Sequence, residues 1–307
     1  MKVGILIPTL NEEESIGEVI DGFRKLGYSR ILVMDGNSTD RTREIAEERG
    51  AEVIIQTGKG KGQAVKEAFQ HMDDDVVVMI DADGTYMPEE VEKLLEPIRR
   101  GIADHVIGNR LVNFENGAFT RLNLLGNKII NFFFRMLYGV SLHDILSGYR
   151  ALTRDVYRSI LIQKEGFEVE TEMTVETIAN GFRIAEVPVY YRKRSGKTKL
   201  NPFLDGYRIL RTVYTLLGRY SPGRYFYILG TIMLLAGLAG GVYVVIEWFR
   251  RVSHFLLVNL VSILIVSGIL IIAVGYLTDS LFRINTQIRR EMREINRRLE
   301  EIERKRD

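Results

Sequence analysis

Residues 76–86 read VVVMIDADGTY. Five apolar residues run straight into two aspartates one residue apart, and a glycine follows. A run that is apolar on both faces suits a strand inside a parallel sheet. Asp81 and Asp83 then sit at that strand's carboxyl end, and side chains at i and i+2 on extended chain point the same way. Two carboxylates aimed at one point repel unless a cation lies between them. A hard divalent ion with oxygen ligands, together with a diphosphate, meets that need. The plain alternative is an acidic turn, because Asp and Gly favour turns.

Working outward, short β-rich runs alternate with helical patterns. Strands are expected at Val3–Pro8, Arg30–Asp35, Glu52–Ile55, Val76–Asp81, His105–Gly108 and Arg183–Tyr191. Helices are expected near 12–26, 39–49, 62–72 and 88–100, with Thr39 and Met87-Pro88 as helix starts. This alternation predicts an α/β sandwich that binds ligands at the carboxyl ends of its strands. The first two strands end in IPTLNEEE (7–14) and VMDGNSTD (33–40). Pro8, Asn11, Glu12, Asp35, Asp81 and Asp83 therefore face one crevice. An acidic residue after the second strand is placed to bind a ribose or base, and Asn37, Ser38 or Asp40 to cap the next helix.

The 307 residues carry a net charge of only +2, which gives no reason to expect nucleic-acid binding. With no cysteine there is no disulfide scaffold and no thiol nucleophile, and the four histidines lack zinc-ligand spacing. The mean hydropathy of −0.01 hides a partition. Residues 225–246 and 255–277 contain no charge. At about 1.5 Å per residue each helix reaches roughly 33 Å, enough to cross a hydrocarbon core of about 30 Å. The link between them is short, so the pair reads as a transmembrane hairpin. Nine Lys or Arg follow it after Asp279, Arg219 and Arg224 precede it, and the link holds only Arg250 and Arg251. The positive-inside rule puts both ends, and residues 1–215, in the cytoplasm.

Charge is divided along the chain as well: residues 1–100 carry −8 and residues 101–224 carry +7. The basic half adjoins the spans, so anionic lipid headgroups or an anionic lipid substrate are its natural partners. Residues 119–138 are apolar but interrupted by Arg121, Lys128 and Arg135, which suits a helix lying in the headgroup layer; 200–217 reads likewise. RKRSGKTKL (192–200) reads as a basic lid able to close over phosphates, and GKGKGQAV (58–65) as a glycine-rich loop in which Lys59 or Lys61 could steer a diphosphate. FEVETEMTVET (167–177) places Glu168, Glu170 and Glu172 on one face only if extended, with Glu170 or Glu172 available to Arg110 or a donor sugar. Ile288, Met292, Ile295, Leu299 and Ile302 are spaced 4-3-4-3 in the tail 279–307, as in a coiled-coil seam that would pair chains or an amphipathic surface helix.

IPTLNEEESI, VMDGNSTDRT, GKGKGQAV, IDADGTYMPEE, GNR (108–110), SGYRALTR (147–154) and RKRSGKTKL, in this order, resemble the family-2 glycosyltransferases of GT-A fold. Within them the chain is similar to dolichyl-phosphate mannose synthases and other polyprenyl-phosphate sugar transferases. The resemblance covers about residues 1–215. It implies inverting transfer of a hexose from a nucleotide sugar to a polyprenyl phosphate, with Mg2+ or Mn2+, at the cytoplasmic face. It assigns nucleotide-sugar contacts to Pro8, Leu10, Asn11, Glu12, Val33, Asp35, Lys61, Asp81, Ala82 and Asp83. Asp83 with Asp81 would hold the metal, and Arg110 and Arg194 would act at the transferred phosphates. Arg110, Arg121, Arg192, Lys197 and Lys199 would bind the acceptor phosphate. Two positions depart from the mannose-synthase pattern, Thr85 for a frequent Gln and Leu10 for a frequent Tyr. GDP-mannose is the first donor expected, then UDP-glucose or UDP-N-acetylglucosamine. A processive polysaccharide synthase is a second enzyme class, without its QxxRW string here. A catalytically inert nucleotide-sugar-binding membrane scaffold is the non-enzyme alternative.

Overall fold

The computed structural model describes residues 1–194, 202–220 and 223–304. Seven strands form one sheet: β1 (Val3–Thr9), β2 (Ile31–Asp35), β3 (Glu52–Ile55), β4 (Val76–Met79), β5 (His105–Phe114), β6 (Arg150–Thr153) and β7 (Ile184–Tyr191). Their order is β3-β2-β1-β4-β6-β5-β7. β6 runs antiparallel to both its neighbours, and the remaining pairs are parallel. Alternate residues of β1 feed two cores. Ile5 and Ile7 pack with α1 (Ile16–Lys25), α2 (Thr42–Glu48) and α4 (Val91–Arg99). Leu6 packs with α3 (Lys61–His71), α6 (Arg154–Ser159) and α7 (Val169–Ala179). Because both faces are covered, the central strands have no polar alternation, as VVVMI announced. This is the expected α/β sandwich, and β1, β2 and β4 deliver their carboxyl ends side by side.

The structure departs from the sequence reading in several places. β4 ends at Met79, short of the expected Asp81, so Asp81 and Asp83 lie in a turn and not on extended chain. β6 was not anticipated, because RALT opens on an arginine that is fully buried, which apolar periodicity does not flag. β5 continues past Gly108 to Phe114 through a register shift between Asn109 and Asn113. Thr39 does not start α2; that helix begins at Thr42, whose N–H donates to the Asp40 carboxylate at 3.0 Å. Residues 169–179 are helical, so the three glutamates do not share a face, and Glu170 and Glu172 are buried.

α5 (Arg121–Tyr138) starts where the Thr120 hydroxyl accepts from the Asn123 N–H, and ends at Gly139 with φ 69°. Its buried face is Ile130, Asn131, Phe134 and Tyr138. Leu122, Leu125, Ile129, Phe132, Phe133 and Met136 are exposed. A stripe this apolar and uncovered marks an interaction surface. α8 (Pro202–Tyr220) follows, and the Tyr138 hydroxyl donates to the carbonyl of Val213.

Backbone packing divides the chain into Met1–Tyr214 and Thr215–Asp307. The second unit holds α9 (Gly223–Phe249) and α10 (Phe255–Arg304). Gly223 lies against Gly275, Gly230 against Gly268, and Gly237 against Ile265, so the helices pair antiparallel with backbones in close approach. A Cβ at 230 would stand 2.8 Å from the Gly268 carbonyl oxygen. Both helices are long and apolar enough to cross a membrane, and only 11% of each apolar window is buried. A soluble protein's core helix would be mostly covered. The tail after Asp279 continues α10 rather than forming an element of its own.

Candidate active site

Asp81 and Asp83 leave β4 in a turn fixed from three sides. The Ser15 hydroxyl donates to the Ala82 carbonyl at 2.7 Å. The Thr85 hydroxyl donates to Asp83 at 2.6 Å. Gly148 lies directly behind Asp81, where any Cβ would run into the carboxylate. The glycine of SGYR thus serves the carboxylate pair from a loop more than sixty residues away in sequence.

Two cations bind this pair to the neighbouring strand ends. The Lys61 ammonium, at the start of α3, pairs with Asp81 and, at 2.5 Å, with Glu170 at the start of α7. Gly62 lets the α3 start press onto the 164–165 backbone, whose Lys164 carbonyl occupies the space of a Cβ. The Arg194 guanidinium pairs with Glu12 and, at 3.0 Å, with Asp83. Among the described residues, Glu12, Asp81, Asp83 and Glu170 therefore meet as four carboxylates around two cations. Burial, then repulsion from Asp81, pushes the Asp83 pKa up. Burial works against the Lys61 charge, but Asp81 and Glu170 outweigh it and hold its pKa above the ordinary value. No three His, Asp or Glu side chains among the described residues stand ready to hold a metal unaided.

The other predicted nucleotide residues surround this cluster. Pro8, Val33 and Ala82 are buried behind it, and Leu10 is exposed. Asn11 takes φ 49° and its side-chain oxygen accepts from the Thr39 N–H at 2.8 Å. Asp35 is fully buried and accepts from the Ser38 N–H and hydroxyl, with Arg43 Nε at 3.6 Å. The Ser38 hydroxyl in turn accepts from the Asn11 N–H, which locks the first two strand ends together.

A second charged centre lies on the β5 side. Arg110 forms a two-pronged pair with Asp144 at 2.8 and 2.7 Å, and its backbone N–H donates to the same carboxylate. Its guanidinium carbon stands 5.7 Å from the Phe119 ring centre and 5.3 Å from that of Tyr191, the two rings being stacked. Burial opposes the Arg110 charge, but Asp144 raises its pKa well above the ordinary arginine value. Arg110 is thus joined to Asp144 and not to Glu170 or Glu172. Glu172 instead accepts from the Gln163 and Lys164 N–H groups. Arg121 is exposed at the first turn of α5. Arg192 pairs with Glu18 at 3.3 Å. Lys197 and Lys199 lie outside the described residues.

Arg150 escaped the sequence reading. It is fully buried and donates to the Ser147 and Ile145 carbonyls and the Thr174 hydroxyl, with His105 at 3.3 Å. It pins the loop that carries both Asp144 and Gly148. Burial brings its pKa down to about 10. The same burial, with the Arg150 charge, pushes His105 well below 6.5.

Residues 4–161 match the family described as Glycosyl transferase family 2. The chain is 41% identical over 305 residues to "Glycosyltransferase AglJ" of Haloferax volcanii, covering 98% of each. The chain belongs to glycosyl transferase family 2. This glycosyltransferase is also 37% identical over 215 residues to the dolichyl-phosphate hexose transferase of the same organism, covering 69% of this chain and 92% of that one. Among solved structures it resembles glucosyl-3-phosphoglycerate synthase of Mycobacterium tuberculosis, in complex with Mn2+, UDP-glucose and phosphoglyceric acid. There the TM-score is 0.60 at 25% identity, over 71% of this chain and 80% of that one. The mixed sheet of GT-A type and the enzyme class read from the motifs therefore hold, and the inert-scaffold alternative does not.

Proposed function

We propose that this glycosyltransferase moves a hexose from a nucleotide-diphosphate donor to a polyprenyl phosphate at a membrane surface. The observation that carries the reading is the excess, among the described residues, of carboxylates over cations at the ends of β1 and β4, on a chain with two exposed apolar helices. Relatives named for dolichyl-phosphate hexose transfer support the acceptor class. The solved relative with Mn2+ and UDP-glucose supports a divalent ion and a nucleotide sugar.

The donor set suits Mg2+ or Mn2+. One or two carboxylates, Asp83 with Asp81, would hold the ion, and the diphosphate oxygens complete its shell, the usual arrangement for a cation that keeps a partial protein cage. Bound there, the ion would draw charge from the leaving diphosphate. Asp35, Asn11 and Ser38 shape the nucleoside end, and Lys61 and Arg194 provide positive charge beside the diphosphate.

The acceptor needs no base. A phosphate monoester has a second pKa near 6, so it is mostly dianionic at about pH 7 and already nucleophilic. It needs help approaching another anion: two unit charges at about 4 Å interact by roughly 4 kcal/mol at a partly shielded site. Arg110 supplies charge from a fixed position against Asp144, Phe119 and Tyr191. Arg121 is a cation placed at a helix's positive end, where it costs stability and attracts an anion. Residues 1–215 work in the cytoplasm, with α5 and 200–217 on the headgroups, 216–278 anchor the chain, and 279–307 pair copies of it through the tail. GDP-mannose stands first as donor, then UDP-glucose and UDP-N-acetylglucosamine. Incubating detergent-solubilised chain with each labelled donor, polyprenyl phosphate and Mn2+ should carry label into the organic phase; label found only in water-soluble or polymeric product contradicts the reading.

A further inference from the structure

Lys61 is shared. Its ammonium reaches Asp81, which faces the donor crevice, and Glu170, which is only 3% exposed at the start of α7. If Asp81 were its sole partner, the pair would be neutral, and the carboxylate would be of little use to a cation. Glu170 draws on the same ammonium, so the triad keeps one negative charge. That charge lies in the crevice, because the Lys61 side chain is 13% and Asp81 26% exposed, whereas Glu170 is closed in.

Holding an extra carboxylate in so buried a place is costly unless it is paired. Glu170 also supports the buried charge of Arg150, but the backbone N–H groups near the α7 start are taken by other glutamates. Glu172 takes the 163–164 N–H groups, and Glu176 takes the Leu161 N–H. Glu170 is the glutamate of this helix that turns toward the donor carboxylates. We infer that Glu170 is a positioning residue for the cation site: it holds the Lys61 ammonium partly away from Asp81 and leaves the Asp81–Asp83 pair charged enough to take up a divalent ion. This rests on the metal reading proposed above. It also gives Glu170 a part other than proton acceptor, since its carboxylate is occupied by the lysine.

The test is uptake of Mn2+ alone by the full chain in detergent, followed through the free-ion resonance signal. Glu170→Gln should weaken Mn2+ binding about tenfold, because Lys61 then neutralises Asp81 undivided. Glu170→Asp should stay within about threefold of the parent chain, as it keeps the charge. The double variant K61M/E170Q, which removes the competing ammonium as well, should recover affinity to within about threefold. Parent-like Mn2+ affinity in E170Q overturns the inference, as does a double variant no better than E170Q. Loss of turnover with intact Mn2+ binding in E170Q would make Glu170 a group acting on substrate instead, and also overturns it. Melting curves accompany each variant. Should E170Q not fold, Lys61→Met alone should bind Mn2+ at least as tightly as the parent chain, because the unpaired Glu170 takes up a proton while Asp81 is freed, and weaker binding counts against the inference. A parent chain that takes up no Mn2+ defeats the metal reading itself, a result distinct from all of these.

Discussion

The two charged centres of the catalytic unit are built on opposite principles. Around Asp81 and Asp83, among the described residues, four carboxylates divide two cations, and each cation serves two strand or helix ends. Around Arg110, one cation and one carboxylate match oxygen for nitrogen and close on each other, with aromatic rings beside them. Among the described residues, the first centre holds more carboxylates than cations. The second is saturated and holds its guanidinium in one place. In the proposed reaction between two anions, the first takes in a cation with the donor, and the second fixes the geometry of the site on the β5 side.

The comparison breaks most sharply at Asp83. Asp83→Asn should lower turnover by roughly a thousandfold with the fold intact, since it removes a charge that nothing else replaces. Full activity of this variant at low Mn2+ would sink the metal assignment. On the saturated side, Asp144→Asn frees Arg110 to wander and should cost about a hundredfold in kcat, with little change in donor KM. Steady-state kinetics in both substrates separate the two cases. Arg121→Ala removes one exposed cation, and should raise the KM for lipid phosphate about tenfold while donor affinity holds. Unchanged kinetics there would move the acceptor phosphate elsewhere.

A smaller effect concerns the anchor of the second centre. His105 is neutral in the fold because burial and Arg150 push its pKa well below 6.5. The unfolded chain therefore binds a proton that the folded chain refuses, and stability is lost as pH falls through about 6.5. Between about pH 7 and 5.5 the loss should be about 1 kcal/mol, and His105→Gln should abolish that slope in thermal melts. An unaltered slope would show that His105 is not its source. Smallest of all, deleting 286–307 should leave turnover nearly unchanged and lower the number of chains per particle in detergent by light scattering. An unchanged number of chains per particle would favour a surface helix over a seam that pairs chains.

Sequence reading succeeded where chemistry and period coincide. VVVMI followed by DADG announced both a buried strand and its functional end, and charge-free runs announced α9 and α10. It failed where a residue's environment reverses its usual habit. Arg150 is a charged side chain in the interior that looks like a surface residue in a linear string, and Glu170, read as available to Arg110 or a donor sugar, pairs instead with Lys61. Their one local signal is company. Arg150 follows Ser-Gly-Tyr, a loop that lets Asp81 lie against Gly148, and Glu170 opens a helix with little polar–apolar alternation. The pairing of Lys61 with Glu170 spans 109 positions and has no linear signature. Arg194 was assigned to a phosphate lid from its basic neighbours. Its partners Glu12 and Asp83 became visible only once β1 and β4 stood side by side.

The most direct test of the whole account uses labelled GDP-mannose, UDP-glucose and UDP-N-acetylglucosamine in parallel. Each is offered to the purified chain with polyprenyl phosphate, with and without Mn2+, alongside Asp83→Asn. The account predicts that one donor yields a labelled lipid that is acid-labile, requires the metal and vanishes in the variant. Lipid product that forms equally well without divalent ion, or equally well in Asp83→Asn, would contradict it.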